Sequence, residues 1–472
     1  NLTSSRIKQP KITLLYDTAF VKDTNELVKN NIDLLSSILD TLITQNFNIE
    51  NALITIKDAH NPRVKFGEFQ KVSFFVNKLN LNSYANKKTD LFDVMESAGI
   101  STSTSYIKIP GIPDKVSWRA MNYSSAKKNI KFHQLKYSNK NDQSNVKIHF
   151  KSVSANKFRP KEIVQDKILA LGLVELNNGK IEFIESKKKI DKAKVSPLFS
   201  IDSLALNDID FVHTIKDTVK QKVDKFSLHT GNLSFYKDSL GKKKIGLHNL
   251  DFFGKKGLFS IDQNRHYLNF NSINFSSSDS TFKSENIKIA PVIDQRNKKS
   301  KTLIRTEIDY ISIEGLAINP TDAKSEFVGR KINICTPVFK MSTIQNNTEQ
   351  PKSRNSFVEL HKWFSNVTGI NLIKYDALEI ENGNVDLVSE NKTNSSKNWR
   401  LSVPQYNITA RDFKLDSTQS NHDKHLFYAT SYNIEAYGTE QTFTDSLQNF
   451  KVGQLTYNTE KQYLKLQNAD VL

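Results

Sequence analysis

Few side chains of this chain are spaced in a way that could do chemistry. His422 and His425 form an H-x-x-H pair. A metal site needs three or four convergent ligands. Two imidazoles in and beside the polar run Ser420–Lys424 supply half of one and read as solvated. Closely spaced carboxylates, Asp208 with Asp210 and Glu379 with Glu381, could in principle pair as general acid and base. Both pairs sit in period-two stretches, where residues two apart share the polar face of a strand and meet water. The single cysteine, Cys335, follows the apolar alternation Ile332-Asn333-Ile334, which is a core context and not that of an activated nucleophile. No G-x-S-x-G elbow, Walker A loop, G-x-G-x-x-G, H-E-x-x-H or C-x-x-C occurs. The expectation is a protein that is not an enzyme and that needs no metal and no cofactor.

The informative feature is structural. Four ten-residue stretches align without a gap: Phe47–Ile56, Val174–Phe183, Phe226–Phe235 and Leu378–Leu387. Each is apolar at its first, third, eighth and tenth positions. The middle carries Asn51-Ala52, Asn178-Gly179, Thr230-Gly231 or Asn382-Gly383. Asn-Gly between alternating apolar residues predicts a two-residue hairpin turn. Opposed hairpin residues point to one side of the sheet. That places Phe47, Ile49, Ile54 and Ile56 on one face, and likewise Val174, Leu176, Ile181 and Phe183. Phe226, Leu228, Leu233 and Phe235 form the third set, and Leu378, Ile380, Val385 and Leu387 the fourth.

Strand-like alternation dominates elsewhere, as in Lys11–Tyr16, Val146–Phe150, Leu268–Phe275, Ile308–Ile318 and Tyr406–Leu415. A few amphipathic helices are expected before the hairpins, at Thr24–Thr44, Pro160–Leu171, Ile215–Lys225 and Phe357–Val367. Asp-Ser turns, such as Asp279-Ser280 and Asp445-Ser446, precede further strands. At 472 residues the chain suits a repeat array as well as two to four domains. Polar linkers divide it into segments 1–155, 156–350 and 351–472, read as one continuous array. The fold class expected is mainly β: an elongated, curved antiparallel sheet forming a groove.

Composition narrows the partners. Hydrophobic residues make up 38 %, which suits a sheet with one wetted face. The formal charge of +17 admits nucleic acid, an anionic membrane or an acidic glycolipid. Lysine and asparagine abundance also follows from an AT-rich coding bias. The aromatics Phe47, Phe183, Phe226 and Phe235 keep register with Leu, Ile and Val, so they are no stacking platform for single strands, and nucleic acid is not expected. No stretch of eighteen apolar residues spans a bilayer.

An oily face must be covered or used. An ordinary closed core, with scaffold or adhesin function on exposed loops, is one outcome. Many strands, serial repeats and no catalytic set favour a container for acyl chains, which need apolar contact and little else. At this point the hairpin motif of Leu378–Leu387 and Val174–Phe183 resembles the AsmA-like proteins of Gram-negative envelopes. The Asp-Ser-Leu turn and strands of Asp445–Leu472 look like the variants found in Bacteroidetes-type bacteria. The resemblance implies a β-groove of the bridge-like lipid transfer kind, located in the periplasm. It would serve phospholipid transport, outer-membrane biogenesis and envelope integrity. It implies a phospholipid or other acyl lipid as ligand, with the inner or outer membrane and envelope proteins as partners. It also implies a membrane anchor carried by a segment not present in this sequence. The groove lining is then the sixteen apolar hairpin positions named above.

Overall fold

A computed structural model describes residues 4–16, 43–80, 96–108, 114–140, 144–158, 168–185, 198–216, 218–237, 243–261, 264–292, 302–320, 325–345, 370–391, 398–416, 429–443 and 449–471. Among them every regular element is a strand and none is a helix. The strands are β1 (Ser5–Lys8), β2 (Lys11–Tyr16), β3 (Ile43–Asp58), β4 (Lys65–Asn80), β5 (Ser97–Thr102), β6 (Ser105–Lys108), β7 (Asp114–Trp118) and β8 (Ala120–Ser124). Then follow β9 (Asn129–Lys140), β10 (Ser144–Asn156), β11 (Ile168–Glu185), β12 (Leu198–Ile215), β13 (Thr218–Lys237), β14 (Lys243–Ile261), β15 (His266–Ser276), β16 (Thr281–Pro291) and β17 (Thr302–Glu314). The last are β18 (Ala317–Pro320), β19 (Ser325–Cys335), β20 (Val338–Gln345), β21 (Ile370–Asn391), β22 (Trp399–Asp416), β23 (Ser431–Phe443), β24 (Asn449–Asn458) and β25 (Tyr463–Val471). The mainly-β expectation therefore holds.

The chain divides into two compact units. One comprises Asn1–Val219 with Lys225–Asn249, the other Lys220–Asp224 with Leu250–Leu472. In the first unit, consecutive pairing runs from β3 through β4, the β5/β6 and β7/β8 segments, β9 and β10 to β11, all antiparallel. In the second, it runs from β14 through β15 and β16 to β17, and from β21 to β25, again antiparallel. The sheets are nonetheless mixed. Strands β1 and β2 lie parallel to β3, β11 parallel to β12, and β19 and β20 parallel to β21. A parallel neighbour needs a crossover of a dozen residues or more. The segments 17–42, 186–197 and 346–369 supply it.

The four predicted hairpins are not hairpins. Strand β3 runs through Asn51-Ala52, β11 through Asn178-Gly179, β13 through Thr230-Gly231 and β21 through Asn382-Gly383. The asparagines do adopt the left-handed conformation that the turn would require, with φ of 55° at Asn51, 50° at Asn178 and 54° at Asn382. A two-residue hairpin of type I′ needs positive φ at both central residues. Gly179 and Gly383 are outside that region, so each asparagine makes a lone corner within a continuing strand. Asn does this at low cost, because its short amide tolerates the left-handed region. The helix expected at Ile215–Lys225 is also corrected. Ile215 ends β12 and Thr218–Lys225 begins β13, whose alternation of Val219, Gln221 and Val223 with lysines suits a pleated strand. The helix expectations at 24–42, 160–167 and 357–367 lie outside the described residues, as do His422 and His425. Residues 43–44 and 168–171, at the ends of two of those stretches, are strand.

These corners form lines. In the first unit, left-handed residues Gln9, Asn51, Lys71, Gln134, Asn178 and Asp208 fall at matching heights on neighbouring strands. In the second, Lys256, Asn286, Thr336, Asn382, Gly438 and Asn468 do the same. Pairing skips one or two residues at this level and then resumes, as between Phe150↔Gly179 and Ser152↔Asn177. Each of these lines is a transverse crease in its sheet.

The glycine of the Asn-Gly pair has a different task from its neighbour. A Cβ on Gly179 would lie 2.3 Å from the Phe150 ring and 2.8 Å from the His149 carbonyl oxygen. Phe150 is the cross-strand partner of Gly179, and its ring occupies the space a side chain would take. The same pairing recurs at the creases as Gly257 with Phe270 and Gly383 with Tyr406. A ring can turn away, but a carbonyl in the ladder cannot. We therefore expect Gly179→Ala to destabilise the first unit by about 1–3 kcal/mol. Gly383→Ala, whose three nearest neighbours are all atoms of the Tyr406 ring, should cost less. Denaturant titration of the two variants checks the order.

Candidate apolar binding face

The crease decides which side chains share a face. In a straight strand, Val174 and Leu176 would oppose Ile181 and Phe183, because the intervals of seven and five residues are odd. The corner at Asn178 shifts the alternation by one residue. Val174 and Leu176 pair with Ala155 and Val153, while Ile181 and Phe183 pair with Ile148 and Val146. The four positions thereby return to one side, as the hairpin reading expected, but through a corner and not a turn. Strand β3 repeats this. Phe47 and Ile49 pair with Val76 and Phe74, and Ile54 with Phe69. In β21, Leu378 and Ile380 pair with Ala410 and Ile408, and Val385 and Leu387 with Val403 and Leu401.

Register carries these positions sideways into rows. One row of the first unit reads Ile49, Phe74, Ile100, Tyr123, Ile130, Ala155, Val174, Leu204 across successive strands. On the far side of the crease runs Ile107, Val116, Tyr137, Ile148, Ile181, Phe211. The second unit has Ile311, Ile334, Ile380, Ile408, Ile434, Tyr457. Most members of these rows come from strands without any Asn-Gly signal, which is why the hairpin pattern misses them. Phe226, Leu228 and Leu233 lie on β13 and are half-buried; the Phe235 side chain lies outside the described residues.

Two contacts show that both halves of the first unit present their apolar sides to each other. Trp118 on β7 lies beyond the crease from Thr102 on β5, yet its indole Nε1 donates to Thr102 Oγ1 at 2.7 Å. Its ring meets Phe69 on its own side (5.8 Å between centroids) and Phe132 on the other (5.7 Å). The residues at the fold line are sealed: Ala52 and Ile209 are 0 % exposed. Left-handed Asn51, Asn178 and Asp208 are exposed. Buried small and branched residues inside, exposed amides outside, is the pattern of a sheet bent toward its apolar face.

Away from the crease the face is open in part, although Val76 and the candidate lining residue Val174 are buried. Ile49, Phe74, Ile100, Ile130, Leu176, Ile181 and Phe183 are half-buried, as are Leu378, Ile380, Val385 and Leu387. Inner residues of a sealed sandwich would be covered by the opposing layer. At the described margins apolar side chains are more exposed still, with Leu14 at 50 % on β2 and Leu464 at 61 % on β25.

The polar face holds the charges. Glu379 pairs with Lys331 at 2.6 Å and Asp386 takes two bonds from Arg400 at 2.8 and 3.0 Å. Asp210 accepts the Lys225 amide at 3.0 Å. Neither carboxylate pair of the sequence thus forms an acid–base dyad; each is bonded to a lysine or strand amide or faces water. The Lys331 ammonium is held above its usual range chiefly by its hydrogen bond to Glu379. Burial, then Glu381 and Asp309, pushes the Cys335 thiol up, so it stays protonated at neutral pH. At the second crease burial pushes the phenol of Tyr406 up to about 12, and burial does the same to Tyr375 farther along β21. Among the described residues no three metal-ligating side chains cluster.

No protein-family model matches the chain, and no curated protein matches it either.

Proposed function

We propose that this chain is a non-enzymatic cell-envelope protein whose creased apolar faces bind or conduct the acyl chains of phospholipids. It would be of the AsmA-like, bridge-like lipid transfer type, working in the periplasm between membranes. The observation that carries this reading is the apolar row that runs unbroken across eight strands in the first unit, partly exposed at six of its eight positions and buried only at Ala155 and Val174. Such a face is costly in water. Each methylene laid against it gains up to about 0.8 kcal/mol. Hydrocarbon makes no directional demand, and apart from the hydroxyls of Tyr123, Tyr137 and Tyr457 the rows present only hydrocarbon. An acyl chain can therefore lie anywhere along them, which suits passage as well as storage.

Mass spectrometry of organic extracts from gently purified protein tests the proposal. Co-purifying phospholipid in at least stoichiometric amount is the expected result. A folded, lipid-free protein that also fails to light up an apolar dye would overturn it, and would favour a scaffold with a closed core.

A further inference from the structure

The pairing of glycine with a cross-strand aromatic also occurs away from the named corner lines, at Gly329 with the buried Tyr375 and, on the polar face, at Gly99 with Phe75. Phe75 faces Gly99 on one side and Asn48 on the other. A Cβ on Gly99 would lie 2.3 Å from Phe75 Cε1 and 2.5 Å from Cζ, so the ring lies down over the glycine. Its outer face is open. Phe75 is 42 % exposed and is the one exposed phenylalanine among the described residues. It lies on the polar side of β4, since its neighbours Phe74 and Val76 belong to the apolar rows.

The surroundings are amides. An open depression of about 550 Å³ encloses Phe75 with Asn46, Asn48 and Asn122. That volume is within the roughly 300–1,000 Å³ of small-molecule sites. The side-chain amides of these three asparagines bond to nothing among the described residues. Each offers two donors and an acceptor. The one charged group of the lining, Glu50, is paired with Arg6.

From this we infer a binding site for a neutral pyranose sugar, with Phe75 as its platform. The axial C–H bonds of a pyranose form a weakly positive, apolar face that complements the negative face of an aromatic ring. Its hydroxyls project from the rim, each both donor and acceptor, and match free amides. A nucleotide would also stack, but no unpaired cation lines the depression to meet its phosphate. Ile49, Phe74, Ile100 and Tyr123 of the first apolar row also border the depression, but the platform Phe75 and the three amides lie on the other side of the strands, so variants there test the sugar site separately from the lipid reading.

Saturation-transfer NMR with cellobiose, maltose and N,N′-diacetylchitobiose tests it. Transfer to the ring C–H protons of at least one is expected. Phe75→Ala should weaken that ligand at least about tenfold, and Phe75→Trp should retain it. Because alanine uncovers Gly99 and could loosen the sheet, Asn48→Ala with Asn122→Ala serves as a second variant. It leaves the ring in place and should weaken binding roughly two- to tenfold per lost hydrogen bond. No transfer from any of the three sugars, or undiminished transfer in a folded Phe75→Ala protein, would overturn the inference.

Discussion

Lysine in place of Ile181 is expected to strip lipid from the protein and leave it folded, whereas lysine in place of Ile209 is expected to unfold the first unit. Both residues are apolar, on adjacent strands, and belong to the same face. They differ in cover. Ile209 is 0 % exposed at the crease, opposite Gly179, and an ammonium there has no route to water. An unpaired buried charge costs about 3–5 kcal/mol or more, a large part of the stability of any domain. Ile181 is half-buried in the open part of the face. A lysine stem can cover the same backbone and lift its charge into solvent. Stability should fall by only about 1 kcal/mol. An acyl chain crossing that spot, however, would have to desolvate the ammonium, at several kcal/mol. Lipid retained after purification should drop at least about tenfold. Ile380→Lys should behave like Ile181→Lys in the second unit. Circular dichroism and lipid extraction on the same samples separate the outcomes. Unfolding of Ile181→Lys would mean a closed core, and a folded Ile181→Lys protein with full lipid content would mean that chains run elsewhere.

How much of this is legible in the sequence depends on distance along the chain. Apolar alternation is local, so the strands at Lys11–Tyr16 or Val146–Phe150 can be read directly. The Asn-Gly pair is also local, but its meaning is not. A left-handed asparagine serves a hairpin turn and an in-strand corner equally well. What separates them is the partner of each arm. In β11 the arms do not pair with each other. One arm, Val174–Asn177, pairs with Ser152–Ala155 and the other, Lys180–Phe183, with Val146–His149, all on one neighbouring strand. One signal was available: alternation continues on both sides of the pair for longer than a short hairpin needs, from Ile168 to Glu185. The crease residues Ala52, Phe150 and Ile209 carry no such signal, because their importance comes from register across strands far apart in sequence. Phe75 shows the same limit, since its setting depends on Gly99 and on amides from two further strands, β3 and β8.

Parallel pairing explains why the repeat looked like helix followed by hairpin. Two of the expected helices fall in 17–42 and 346–369, the connections that bring β3 and β21 back alongside earlier strands. At β3, β12 and β21 a long connection precedes a strand that has an internal corner and a parallel neighbour. β13 departs from this, since Thr218 begins it directly after Ile215 ends β12.

The crease itself should be weakened most by removing Trp118. This side chain is 7 % exposed and joins the two halves of the first unit by ring contacts to Phe69 and Phe132 and by the bond to Thr102. Trp118→Ala should cost about 3–5 kcal/mol, the range for truncating a buried aromatic. The contributions can be divided. Thr102→Val keeps the shape and orphans the indole N–H, at about 1–3 kcal/mol. Trp118→Phe removes the donor and part of the ring, so it should fall between the two. In the double variant Trp118→Phe, Thr102→Val the two losses should not add, since both remove one hydrogen bond. Denaturant unfolding gives all four values. Full additivity would show that the bond does not span the crease. A cost below about 1 kcal/mol for Trp118→Ala would show that the bend is held by the backbone corners alone. If the tryptophan does hold the bend, its loss should also lower lipid retention although the side chain lies beneath the open rows. A crease that opens flattens the face, and an acyl chain then keeps contact on one side where it had two.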